Sequence, residues 1–296
     1  MTMNIRETNR IVTAHRQREG GGFIVRRPLP TAGLELSDPF LLIDEMGPAD
    51  YGPGEAVGAP DHPHRGFETV TYMLEGEFEH EDSAGYHGLI QPGDVQWMTA
   101  GAGIVHSEMP SKRIREDGGR VHGFQIWVNL PARLKMSRPR YQGIPAERIP
   151  AAVSKDGRAR VRVIAGEALG ARAVIETQTA IIYQDWLLEA GADVQVEVPA
   201  DYRGLVYVFE GAVRVGEKAT ELRDGQLAIL GDGDIVRLRS DSAGGGRLLL
   251  LAGVPINEPV ARYGPFVMNT RQELLQAVQD FQSGRMGEIT RSAQVS

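Results

Sequence analysis

The sequence predicts an all-β fold, built twice in tandem and followed by one short helix. Three features predict it. Short apolar runs recur at strand length, glycine and proline punctuate them throughout, and one order of elements occurs twice. Phe67–Leu74, Asp94–Met98, Gly123–Leu130, Leu205–Phe209, Gln226–Leu230 and Arg247–Ala252 are rich in β-branched and aromatic residues, as barrel or sandwich strands are. The 296 residues suit two domains, at ~100–200 residues each.

The repeat is approximate. Its first copy reads TYMLEGEFEH, IQPGDVQWMTAG and GFQIWVNLP; its second reads VYVFEGAVRV, LRDGQLAILGDGD and RLLLLAGVP. In each, a strand meets a Glu-Gly turn, a Gly-rich turn and strand follow, and a long apolar strand closes the unit. Prolines at 131, 139, 145 and 150 mark a linker, which divides the chain into residues 1–135 and 136–296. Beyond the second copy, Leu274, Leu275, Val278 and Phe281 recur at helical spacing, with Asn269 or Thr270 as cap and Glu273 in the first turn.

Composition narrows the function. The net charge of −7 and the lack of a basic stripe beyond Arg26–Arg27 and a scattered 112–120 segment argue against nucleic-acid binding. The absence of cysteine removes disulfides, thiolate metal sites and a cysteine nucleophile. No apolar run approaches the ~20 residues that span a bilayer, and MTMNIRETNR lacks a signal-peptide core. A cytoplasmic protein is the expectation, and two barrels in one chain favour a monomer.

The chemistry lies in the histidines. All seven occur by position 122, so the second half offers no imidazole. His62 and His64 form an H-x-H pair, and His106 and Glu108 an H-x-E pair. On strands, each pair points one way. Two such strands in a barrel bring three imidazoles and a carboxylate to one point. That donor set suits divalent Fe, Mn, Co, Ni, Cu or Zn, and four ligands on a six-coordinate ion leave two positions for a chelating substrate, or for substrate and dioxygen. By parity Glu68 also faces inward, so spacing leaves Glu68 and Glu108 both open as the carboxylate ligand. His80, in an acidic turn, reads as solvated, His87 as a pocket rim, His122 as structural and His15 as surface. Trp97, Met98, Phe124, Ile126 and Trp127 read as core, some of them lining an apolar cavity for a flat aromatic substrate.

The runs DHPHRGFETVTYMLEGEFEHED and PGDVQWMTAGAGIVHSEMP resemble the pirin family of the cupin superfamily. DPFLLIDEMGP, FQIWVNLP, the 155–170 stretch from KDG to GEALG, and EPVARYGPFVMNTRQE extend the resemblance, in order, over nearly the whole chain. It implies two cupin barrels (double-stranded β-helices of jelly-roll type), with iron only in the N-terminal one. It implies His62, His64, His106 and Glu108 as ligands, against Glu68, and iron(II) as the ion. It implies quercetin 2,3-dioxygenase activity, opening a flavonol with dioxygen and releasing carbon monoxide, with Glu108 as base for the substrate 3-hydroxyl. An iron-dependent, redox-sensitive regulator acting through a protein partner is the other role it implies. The chain shows no Lys/Arg run of a nuclear-localisation type. A cupin isomerase or other enzyme using Mn, Zn or Ni would share the ligands.

Overall fold

The computed structural model describes residues 4–241 and 244–291. Among these residues strands dominate, with two α-helices, Lys112–Asp117 and Arg271–Gln282. Among the described residues no helix is long and apolar enough to cross a membrane. The chain forms two compact units, residues 1–15, 27–39 and 147–255 in one and 16–26, 40–146 and 256–296 in the other. Each is therefore assembled from separated stretches, not from the continuous halves 1–135 and 136–296.

In the histidine-bearing unit a seven-stranded sheet runs, in spatial order, Arg140–Ile144, Val95–Thr99, Phe67–Glu75, Gly119–Asn129, Phe40–Tyr51, Phe23–Leu29 and His15–Glu19. A four-stranded sheet runs Ala59–His64, Ile104–Pro110, Phe78–Asp82 and His87–Ile90. Residues 140–144 thus pair with the 95–99 strand, Tyr141 opposite Met98. The proline-rich stretch assigned to a linker also supplies an edge strand, Arg140–Ile144, between Pro139 and Pro145, and the units change at 146/147.

The other unit repeats this order. Gln226–Leu230, Arg203–Val215, Gly246–Gly253 and Ile181–Leu188 lie side by side, as Val95–Thr99, Phe67–Glu75, Gly119–Asn129 and Phe40–Tyr51 do. The Glu-Gly turns correspond too, with Gly76 and Gly211 at φ +79° and +68°. A Cβ at either would lie within 2.8 Å of a backbone oxygen, Arg120 O or Gly245 O. The N-terminal strand Thr8–Thr13 pairs with Gln226–Leu230 in this unit, and the buried Arg6 guanidinium donates to Gly231 O (3.0 Å) and Pro199 O (2.7 Å).

The helix Arg271–Gln282 belongs to the histidine-bearing unit. Thr270 caps it in a full capping box with Glu273. Its buried stripe is Leu274, Ala277 and Asp280, while Leu275 and Phe281 are exposed, so the apolar face predicted from spacing is rotated. The reason is Asp280, a charged residue that pairs with buried Arg65 (Nη1–Oδ2 2.7 Å). Arg65 also donates through Nε to Ala102 O at 2.6 Å. Hydrogen bonds from Gln276, Arg65 and Arg285 outweigh desolvation and hold the Asp280 carboxyl at about 2. The pairing contributes fully above the usual carboxylate range and is lost as pH falls toward that value. Replacing Asp280 by Asn leaves Arg65 buried beside a neutral partner, at a cost of roughly 2–3 kcal/mol. Urea unfolding at pH 7 measures this, and a variant with wild-type stability would show the pair to be dispensable.

Candidate metal centre

The site starts from a chain reversal. Ala59–His64 runs in the four-stranded sheet, and two residues later Phe67–Glu75 enters the seven-stranded one. Gly66 makes the turn at φ +90°, where a Cβ would sit 2.0 Å from Val267 O. Lys135 Nζ pins the turn by donating to Gly66 O (2.8 Å), Val267 O (3.0 Å) and Asn129 Oδ1 (2.7 Å). Burial pushes the Lys135 ammonium down to about 8. Arg65, next to His64, is held on its backbone by Pro265 and Val267 and on its side chain by Ala102 O and Asp280.

His106 lies directly opposite His62 in the antiparallel pairing of Ile104–Pro110 with Ala59–His64. Each ring of His62, His64 and His106 offers a nitrogen, all within 4.8 Å of one another. His62 Nδ1 lies 2.8 Å from Pro60 O, and its Nε2 is 3.1 Å from His64 Nε2. His106 Nε2 is buried without a hydrogen-bond partner. Burial, reinforced by the neighbouring His62 ring, pushes the His64 and His106 imidazoles well below their ordinary range. These two rings are neutral at pH 7, with lone pairs free to donate. An orphaned nitrogen facing two more at contact distance fits a divalent first-row cation.

Glu108 is half-buried and anchored independently. Thr71 Oγ1 donates to its Oε1 at 2.7 Å and Gln125 Nε2 to its Oε2 at 2.8 Å. It groups with His106 and His80 within 4.8 Å, so His106 belongs to both clusters. Among the described residues, both groups of three metal-capable side chains lie in this unit. The corresponding ladder in the other unit, Asp193–Glu197 against Ile235–Arg239, packs Val194, Val196, Val236 and Leu238 into its core instead. That barrel is filled where this one is lined with donors.

The walls are aromatic. Phe67 and Trp127 stand 5.1 and 5.2 Å from the His64 ring, and Arg262 lies over Trp127 at 4.7 Å. Tyr141 is 4.9 Å from His80 and stacks on Tyr86 at 4.9 Å and 9°. Its hydroxyl donates to Met98 Sδ at 2.7 Å.

Residues 22–128 match the pirin family, and residues 183–287 match the pirin C-terminal cupin domain. The chain belongs to the pirin family. A pirin-like protein of Caulobacter vibrioides is 45% identical over 96% of this chain and 100% of its own. Human pirin is 42% identical over 93% and 92%. A crystal structure of quercetin 2,3-dioxygenase from Acinetobacter baumannii superposes with TM-score 0.89 and 40% identity, over 97% of this chain and 100% of its own. The all-β, two-cupin architecture with a C-terminal helix is thus the pirin architecture.

Several side chains in this pirin stand where the sequence reading did not put them. Glu68 is fully buried but lies off the site, accepting from Thr99 Oγ1 at 2.6 Å. Phe67 and Thr71 face the donors, so alternation turns Glu68 to the opposite side of its strand. Parity failed because the Gly66 turn separates it from His64. His80, expected in solvent, is fully buried at 5.1 Å from His106. The strand Phe78–Asp82 carries it inward, opposite Glu108. The alternation of His80-Glu81-Asp82 is the same signal that marked H-x-H. Trp127, Met98 and Tyr141 line the site, whereas Trp97, Phe124 and Ile126 are buried core. His122 pairs with Glu45 at 2.9 Å, and His15 and His87 are exposed.

Burial raises the Glu68 carboxyl from 4.5 to about 6, against hydrogen bonds that lower it. The folded chain therefore holds this proton more tightly than the unfolded one, and stability falls as pH rises between those values, by about 2 kcal/mol. Glu68→Gln should flatten that slope and leave metal affinity unchanged. Urea titrations at pH 4.5 and 6.5 with metal binding at pH 7 check both; weakened binding would return Glu68 to the candidate ligands.

Proposed function

We propose that this pocket holds one iron(II) ion on His62, His64, His106 and Glu108 and opens flavonols such as quercetin with dioxygen. The observation that carries this reading is the anchoring of Glu108. A carboxylate already held by Thr71 and Gln125 is oriented before any metal arrives, so it can serve as a weak ligand and as a base. The three histidines supply neutral donors and no proton acceptor of their own once they coordinate.

A bound first-row cation acidifies a coordinated hydroxyl and, if redox-active, passes electrons between substrate and dioxygen. The protein does the rest. Glu108 takes the proton of the flavonol 3-hydroxyl. Thr71 and Gln125 keep the carboxylate aimed during the transfer. Phe67, Trp127 and Tyr141 offer flat apolar faces to a polycyclic substrate and exclude water from it. His62 is less buried than His64 and His106. The likeness to the Acinetobacter quercetin 2,3-dioxygenase supports the same substrate class.

Oxygen uptake and carbon monoxide release on adding quercetin to the iron(II)-loaded protein test the reading, with metal-stripped protein as control. Metal-dependent turnover is expected. Glu108→Gln should keep its iron yet lose ~10²–10⁴-fold in kcat/KM, the span of a general base. Turnover intact in that variant would remove Glu108 as the base. No uptake by the iron-loaded wild type would replace catalysis with a metal-dependent binding role toward a protein partner.

A further inference from the structure

Behind the three-histidine cluster lies a buried pair that the proposed chemistry does not use. His80 and Asp82 share a face of the strand Phe78–Asp82, which pairs with Ile104–Pro110 so that Asp82 opposes His106 and His80 opposes Glu108. Both side chains are fully buried. Asp82 Oδ1 accepts the backbone N–H groups of Ala84 (2.7 Å) and Tyr86 (3.0 Å), which fixes the carboxylate. That leaves Oδ2, 3.8 Å from His80 Nε2. On the other edge of the ring, His80 Nδ1 lies 3.5 Å from His106 Nδ1.

We propose that Asp82 and His80 are positioning residues that fix the tautomer of His106, so that its Nε2 presents a lone pair to a metal. The inference rests on the reading of His106 as a ligand. A neutral imidazole carries one N–H. If Nε2 is to donate its lone pair, the proton of His106 must sit on Nδ1. There it meets His80 Nδ1, which can only be the acceptor. The proton of His80 then sits on Nε2, and the one buried carboxylate oxygen left to receive it is Asp82 Oδ2. Each choice determines the next, from the backbone turn at Ala84–Tyr86 to the orphaned nitrogen of His106. A ring held this way is also a stronger donor, because the carboxylate pulls on its proton through His80.

The relay makes a distinctive prediction for Asp82. The two backbone N–H groups require an oxygen at the Oδ1 position, so in Asp82→Asn the amide NH2 must take the Oδ2 position. It then donates to His80 Nε2, drives the His80 proton to Nδ1, and forces the His106 proton onto Nε2, where it blocks coordination. Asn should therefore be worse than Ala, the reverse of the order expected from size or packing. His80→Gln keeps an acceptor for His106 Nδ1, whereas His80→Phe does not.

Anaerobic cobalt(II) titration followed by visible absorption, with full-length wild type and the four variants, tests the relay. Asp82→Asn and His80→Phe are expected to weaken cobalt binding ~10–100-fold, in the span typical of groups behind a ligand. Asp82→Ala and His80→Gln should lose less, and the band of bound cobalt should shift in Asp82→Asn. Melting temperatures of the metal-free variants separate these effects from misfolding. Equal affinities for Asp82→Asn and Asp82→Ala, with an unshifted band, would overturn the relay. So would a second cobalt equivalent lost on His80→Phe, since His80 would then be a ligand. A wild type that takes up no cobalt would defeat the reading of His106 as a ligand first, in the same titration.

Discussion

The turn at Arg65–Gly66 governs the site. It takes the chain from one sheet to the other within two residues, so His64 and Phe67 end on adjoining walls of one pocket. Such a turn needs a positive φ and no Cβ, and its exposed backbone groups need partners. Lys135, the 265–267 backbone and Gly101 O provide them, while Ala102 O and Asp280 hold the Arg65 side chain. Four stretches far apart in sequence converge on one dipeptide. His64, next to this clamp, is held by it, and Asp280 of the last helix is one of its parts, which is why that helix belongs to the histidine-bearing unit.

A second constraint is the cost of burying imidazole. His64, His80 and His106 are almost inaccessible, and their charged forms would be expensive there. Burial keeps the His64 and His106 rings neutral, which suits them to coordinate. Asp82 lies fully buried beside them. Desolvation would raise its carboxyl, but the nearby His80 ring, the backbone N–H groups of Tyr86 and Ala84 and the nearby Tyr141 hydroxyl hold it low. Asp82 thus stands against His80 and His106, while Glu108 is held separately by Thr71 and Gln125.

Much of this was legible in the sequence, for identifiable reasons. H-x-H and H-x-E sit on strands, and strand alternation is local, so the meeting of His62, His64 and His106 followed from spacing and the barrel, while Glu108 groups with His106 and His80. Alternation could not carry across Gly66, and Glu68 was misplaced for that reason. His80 was hidden by its acidic neighbours, Glu79 and Glu81, which face outward while it faces in. The helix was found from its cap and periodicity, but its buried face was set by Asp280 and its distant partner Arg65, a pairing 215 residues apart that no local pattern contains. Tyr141 was lost to a proline-rich stretch that resembles a linker yet forms an edge strand.

The two units share a strand order and differ in what they put inside. One fills its ladder with Val194, Val196, Val236 and Leu238; the other lines it with imidazoles and a carboxylate. On the proposed reading a single centre, in one unit, rests on those histidines. Elemental analysis of iron in anaerobically loaded, desalted protein tests it most directly, on the wild type and on His62→Ala and His106→Ala. One iron per chain, lost in both variants, is the predicted result. Two irons per chain, or full occupancy without His106, would contradict it.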